Sequence, residues 1–382
     1  MPLPRPLSMI QSLIATPSIS SVSPAYDQSN QGVIELLAGW LETAGFEGEV
    51  QPVPGFAGKS NLIAVLGKGS DGLVLSGHTD TVPCDLELWT QDPFRLDERN
   101  DRLYGLGSAD MKSFFALCLA AAEGLTARDL KRPLTIIATA DEESSMSGAK
   151  ALVNTGRHLG RYAVVGEPTG LKPIRMHKGI LMEAIRLSGQ AGHSSDPSLG
   201  NNALEGMHKV IGELLAWRTE LQAKYCNPAF AVEVPTLNLG HVHGGDNPNR
   251  ICGQCELHID LRPLPGMQLD QLRNELHQRL RDHMADSGLA LDFEALFDGI
   301  PAVETAETSA IVQAAERLTG HRAEAVAFGT EAPYLNEMGM ETIVMGPGSI
   351  DQAHQPDEFI ALDQLQPSID LIKALIRRFC MD

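Results

Sequence analysis

Residues 73–80, LVLSGHTD, form an apolar run that breaks off on an imidazole and an acid. The same form recurs at 134–143, LTIIATADEE, and at 162–168, YAVVGEP. Runs this short and this continuously apolar read as strands at 61–67, 73–77, 134–140 and 162–166. Between them lie helical patterns. Residues 29–45 place Ile34, Leu37 and Leu41, with the Leu36/Trp40 pair, at helical spacing, and 111–125, MKSFFALCLAAAEGL, reads as a helix closed near Gly124. Strands separated by helices imply an α/β fold with a mainly parallel sheet covered on both faces. In such sheets ligands gather beyond the carboxyl ends of the strands. His78, Glu142, Glu143 and Glu167 stand at those ends.

Around residue 177 the pattern changes. Strands are expected at 180–187, 235–243 and 250–261, and a helix at 201–222. A helix over 269–284 repeats Leu272, Leu276, Leu280 and Met284 four apart, and 289–296 alternates Leu289, Leu291, Phe293 and Ala295 on one face. The order βαββαβ suggests an inserted ferredoxin-like domain. A helix at 306–319, strands at 323–328 and 341–346 and a last helix at 361–379 then return the chain to the first domain. The expected division is a catalytic domain of 1–176 and 298–382 around an insertion of 177–297.

The acids and imidazoles decide the chemistry. His78, Asp110 in YGLGSAD, Glu143, Glu167 and His354 in DQAHQPDE all lie at expected strand ends or in loops. A carboxylate shared between two ions, with one imidazole and one further carboxylate for each, suits a pair of zinc or cobalt ions. Oxygen donors alone would suit magnesium or calcium better. Glu142, beside Glu143 and not needed as a ligand, is left available as a base. Cys252 and Cys255 have metal or redox spacing, but three residues along a strand they face opposite sides. His241 and His243 share a face by the same periodicity and can chelate, though packing or a place in a substrate loop is the expected role.

In order along the chain, GHTDTVP, YGLGSADMK, ADEE, GEP and AHQPDE resemble the motifs of one family of two-metal hydrolases. Acetylornithine deacetylases, succinyl-diaminopimelate desuccinylases, aminoacylases and glutamate carboxypeptidases make up that family. The resemblance covers nearly the whole chain. It implies an aminopeptidase-like catalytic domain carrying an inserted lid and dimerisation domain. One ion is then held by His78 and Glu167, the other by Glu143 and His354, with Asp110 between them. Glu142 becomes the general base, and Asp80 an outer acid that fixes the tautomer of His78. His193, in AGHSSDP, becomes a donor to the scissile carbonyl oxygen, worth roughly 3–4 kcal/mol at the transition state. Asn249 and Arg262, from an Asn-x-Ile and an Asp-x-Arg pattern, become candidates for holding a substrate carboxylate, joined by Lys178 and the Gly329–Thr330 turn.

GEPTGLKPIRMHKG, PTLNLGHVHGGDNPNRIC, GTEAPYL and GPGSIDQAHQPDE are most similar to the acetylornithine branch of the family. The expected substrate is thus a small N-acyl amino acid, N2-acetylornithine first, with succinyl-diaminopimelate, acetylcitrulline or a dipeptide as alternatives. Glu331 is expected to meet the distal ammonium of ornithine. A homodimer is implied by the same resemblance. Composition narrows the other partners: 30 Lys plus Arg against 49 Asp plus Glu give a formal charge of -19, which repels phosphate backbones and anionic lipid. Nucleic acid and membrane are therefore not expected. No apolar run reaches the roughly 20 residues of a membrane span, and the N-terminal stretch lacks the pattern of a secretory signal. Six cysteines in 382 residues do not suggest a disulfide framework. A reducing cytoplasm is the expected location.

Overall fold

The computed structural model describes residues 2–382. The chain divides into two compact units. One runs up to Arg175 and includes Thr305–Glu324 and Thr330–Asp382; the other is Met176–Glu304 with Ala325–Gly329.

In the first unit the sheet runs in the order Glu47–Pro52, Ser60–Leu66, Leu134–Thr139, Leu73–His78, Tyr162–Pro168 and Glu341–Gly346. Leu73–His78 lies between Leu134–Thr139 and Tyr162–Pro168 and is parallel to both, and Glu341–Gly346 continues the parallel set. Every residue of Leu73–His78 and Leu134–Thr139 is buried, the physical counterpart of their continuous apolar sequences. Helix Ser113–Ala122 is buried all round and joins helices Pro6–Ile14, Gln31–Thr43 and Leu365–Ile376 in one core with the sheet. The parallel reading holds for the centre of the sheet and not for its edge. Ser60–Leu66 is antiparallel to Leu134–Thr139. Residues 67–72, which lead on to Leu73–His78, are too few for the crossover a parallel connection needs.

The second unit has the order Ile180–Ser188, Ala203–Lys224, Thr236–Gly244, Gln254–Arg262, Leu269–Met284 and Ala290–Ile300, a βαββαβ chain. Its four strands form an antiparallel sheet in which Gln254–Arg262 lies between Thr236–Gly244 and Ile180–Ser188, with Ala290–Ile300 on the far side. One face packs on the two helices through Leu181, Ile185, Leu257, Ile259, Leu276 and Trp217. Helix Leu269–Met284 buries the four residues spaced four apart. The unit does not stop at 297. Ala290–Ile300 pairs with the first strand as far as Ile300 opposite Ile180. Ala325–Gly329 also belongs to this unit, bonded through Lys178 N–H to the Val326 carbonyl at 3.2 Å.

Trp217 is the largest fully buried side chain, and its indole N–H donates to Glu275 Oε1 at 2.7 Å, tying one helix of this unit to the other. Trp217→Ala is expected to cost about 3–5 kcal/mol. A denaturant titration followed by circular dichroism should show a lower midpoint.

Candidate metal centre

Parallel pairing brings the ends of three strands to one edge, so residues far apart in sequence meet there. His78 is the last residue of its strand. Its Nδ1–H donates to the Asp80 carbonyl at 3.0 Å, which leaves Nε2 facing Asp110 Oδ1 at 3.0 Å and Glu167 Oε1 at 3.9 Å. On the other side His354 Nε2 lies 3.0 Å from Glu143 Oε1 and 3.5 Å from Asp110 Oδ2. Asp110 thus offers one oxygen to each imidazole. Ligand atoms of His78, Asp110 and Glu143 lie within 4.8 Å of one another, as do those of His78, Glu142 and Glu167. Two imidazoles and four carboxylates in this arrangement fit a pair of borderline divalent ions.

The supporting residues explain how so much negative charge is held together. Asp80 meets His78 twice: its backbone carbonyl takes the imidazole N–H, and its carboxylate Oδ1 lies 3.7 Å from the same Nδ1. The carboxylate also accepts the backbone N–H groups of Glu142 and Glu143, at 3.3 and 3.1 Å. Burial, set partly against the nearby His78, pushes Asp80 up to about 6. The turn carrying Glu142 and Glu143 is fixed from below by Asp141, which accepts from Ser20 and Ser147 and pairs with buried Lys59 at 2.6 Å. Glu358 does the same for Asp110. Its buried carboxylate accepts the N–H groups of Gly107, Ala109 and Asp110 at 3.1, 2.7 and 3.0 Å. Gly166 lets the strand bearing Glu167 approach helix Ser113–Ala122, since a Cβ there would meet the Phe114 ring at 2.3 Å. Asp141, Lys59 and Glu358 were not among the residues the sequence singled out. Asp141 and Glu358 stand within the ADEE and AHQPDE motifs but beside more conspicuous residues, Lys59 stands in no motif, and the partners of all three include residues far away along the chain.

The charges are strongly perturbed. Burial, then repulsion from Glu167, pushes Glu142 well above the usual carboxylate range. Burial, then Asp110, does the same to Glu167. Asp110 goes the other way: burial opposes its charge, but hydrogen bonds from His354 and His78 hold it below the ordinary range. Asp110 and Glu143 together raise His354 to about 10.

The remaining candidates are less alike. In the second unit, His193 is exposed, and the Ser195 N–H donates to its Nδ1 at 3.2 Å, so the ring proton sits on Nε2. Asn249 is joined to that segment by its carbonyl, which accepts from Ser194 N–H at 3.1 Å. Arg262 lies on strand Gln254–Arg262, with Nε donating to both oxygens of Asp260 at 2.9 and 3.0 Å. Lys178 is only 2% exposed and donates to the Val234 carbonyl at 2.7 Å, so it is an internal tie rather than an open carboxylate donor. Gly329 groups with the second unit and Thr330 with the first. Thr330 is buried, its hydroxyl accepting from Ala332 N–H at 3.1 Å. Glu331, 1% exposed, takes Ser76 and Thr139 hydroxyls at 2.5 and 2.6 Å, one on each oxygen. That arrangement braces the two strands beneath His78 and Glu142, and corrects the expectation of a substrate-facing acid.

Glu358→Ala would strand three backbone N–H groups, each at a cost of about 1–3 kcal/mol. The expected result is a lower melting temperature together with weaker retention of divalent ions on dialysis. Glu358→Gln, which keeps an acceptor, should recover part of both.

Comparison with known proteins places this geometry in a family. The family model for Peptidase family M20/M25/M40 matches residues 74–378. The acetylornithine deacetylase of Edwardsiella ictaluri is 52% identical over 378 residues, 99% of this chain and 98% of that protein. Among solved structures, the M20 family metallo-carboxypeptidase Sso-CP2 from Sulfolobus solfataricus is similar with a TM-score of 0.77 at 16% identity, covering 99% of each chain. The YXEP protein of Bacillus subtilis, a dinuclear metal-binding peptidase, is similar with a TM-score of 0.67 at 17% identity, covering 98% of this chain and 97% of that one. With a family match over most of its length and a relative at half identity end to end, this chain belongs to peptidase family M20/M25/M40.

Proposed function

We propose that the chain is a two-metal amidohydrolase that removes the acetyl group from N2-acetylornithine, giving acetate and ornithine for arginine synthesis. The observation that carries the substrate is the end-to-end identity with a protein named acetylornithine deacetylase. The meeting of His78, Asp110, Glu143, Glu167 and His354 at one sheet edge supports the chemistry. In this reading His78 and Glu167 would hold one zinc or cobalt ion and Glu143 and His354 the other, with Asp110 available to both.

When bound, a pair of such ions brings a water's acidity near neutral and stabilises the oxygens that gain charge during amide hydrolysis. Glu142 takes the proton of the attacking water as its oxygen bonds to the acetyl carbon. It passes that proton to the departing nitrogen as the C–N bond breaks. Asp80 keeps Glu142 in place through the backbone. His193, with its proton on Nε2, donates to the scissile carbonyl oxygen, and Asn249 and Arg262 take the substrate carboxylate. A homodimer in the cytoplasm completes the reading. Its support is the family resemblance and six cysteines that are all free. Among the described residues no helix is long and apolar enough to cross a membrane.

A panel of N-acyl amino acids, assayed on zinc- and cobalt-loaded enzyme, tests the substrate. Acetylornithine should be turned over fastest, and preference for succinyl-diaminopimelate or a dipeptide would overturn the assignment. Glu142→Gln should retain metal while turnover drops by at least about a hundredfold. His193→Ala should keep metal content and melting temperature and lower kcat by roughly a hundred- to a thousandfold. Near-normal kcat in that variant would remove His193 from the mechanism.

A further inference from the structure

The sheet of the second unit carries another meeting of imidazole and carboxylate, which amide hydrolysis does not use. By simple alternation Leu237, Leu239, His241 and His243 would share one face, and Leu237 is indeed buried against the helices. The strand does not keep that phase. Its register against Gln254–Arg262 shifts between Leu239 and His241, so Gly240 is an extra residue that turns the rest of the strand over. Leu239 stands opposite buried Ile259, whereas His241 stands opposite His258 and His243 opposite Glu256. Glu256 and His258, two apart, share that same outer face.

The side chains converge. His258 Nε2 lies 2.7 Å from Glu256 Oε1, and the rings of His241 and His258 are 4.6 Å apart between centres. One ligand atom from each of His241, Glu256 and His258 falls within 4.8 Å of the other two. Arg186, on the neighbouring strand, bonds Glu256 through Oε2 and also pairs with Glu294, which leaves Oε1 turned toward the imidazole. An open pocket lined in part by Arg186, His243 and Glu256 borders the group and gives it access to solvent.

We propose that His241, Glu256 and His258 form a transition-metal site of the zinc class on the inserted unit, built from residues separate from the hydrolytic ligands. Two imidazoles and one carboxylate are donors that zinc accepts in three of four positions, the fourth being taken by water. Around an ion with bonds of about 2.0–2.2 Å, such donor atoms stand roughly 3.4 Å apart. The three donor atoms, already within 4.8 Å of one another, need to draw together by no more than about 1.4 Å. An ion at Nε2 would take the lone pair of the neutral ring, whose one proton then stands on Nδ1. Bound there, the ion clips the bulged edge strand to its neighbour.

The test uses the complete enzyme with its hydrolytic ions in place, dialysed against zinc chloride, with total zinc per chain counted by mass spectrometry. Wild type should hold one ion more per chain than His241→Ala/His258→Ala, while both hydrolyse amide at the same rate. His243→Ala should keep the extra ion. Glu256→Gln, which keeps the shape of the side chain, should weaken zinc binding by at least about tenfold. Equal zinc in wild type and the double variant overturns the site. Loss of the extra ion in His243→Ala alone overturns the choice of ligands.

Discussion

Four carboxylates must be kept within reach of one another at the edge of a buried sheet, and the first unit is organised around that repulsion. Asp110 is the pivot, with an imidazole on each oxygen. The acids behind it are not answered mainly by cations. Asp80 and Glu358 each collect backbone N–H groups from the loops that carry the front-line residues. A carboxylate bonded in this way fixes a loop without adding a mobile side chain that could compete for the site. Two buried lysines add to this from further back. Lys59 pairs with both Asp141 and Asp27, and Lys112 stands in the field of Asp80 and Glu358.

Much of this first unit was legible in the sequence because its strands are buried on both faces and end on polar residues. A continuous apolar run followed by a His or Glu marks a strand and the edge at which it stops. The antiparallel edge was not legible in the same way. Glu47–Pro52 is exposed along nearly all its length and carries no apolar alternation to read. The bracing residues were hidden for a different reason. Glu358 meets Asp110, and Lys59 meets Asp141, only after the chain has folded, so no local pattern sets them apart from surface charge. Glu331 shows the converse error. A polar residue just before a helix, in a motif, invites a substrate role, but both its oxygens are spent inside the fold.

In the second unit the helices and their register were plain, since Leu272, Leu276, Leu280 and Met284 form a single stripe. Two features escaped. Lys178 follows a His and precedes a Gly in a segment that looks like a loop, yet burial has drawn its ammonium onto a carbonyl and lowered its proton affinity. The Gly240 bulge escaped as well, because one extra residue leaves the composition of a strand unchanged while reversing the faces of all that follows.

The residues that frame Asp110 come from opposite ends of the chain. His78, Glu142, Glu143 and Glu167 are made early, but His354 and Glu358, which close the far side of Asp110, arrive only near the end of synthesis. Chains are built and begin to fold from the amino end. A growing polypeptide therefore carries most of these acids before the two residues that close the far side of Asp110 have been added, and the framed carboxylate is not formed until residue 358 has joined the chain.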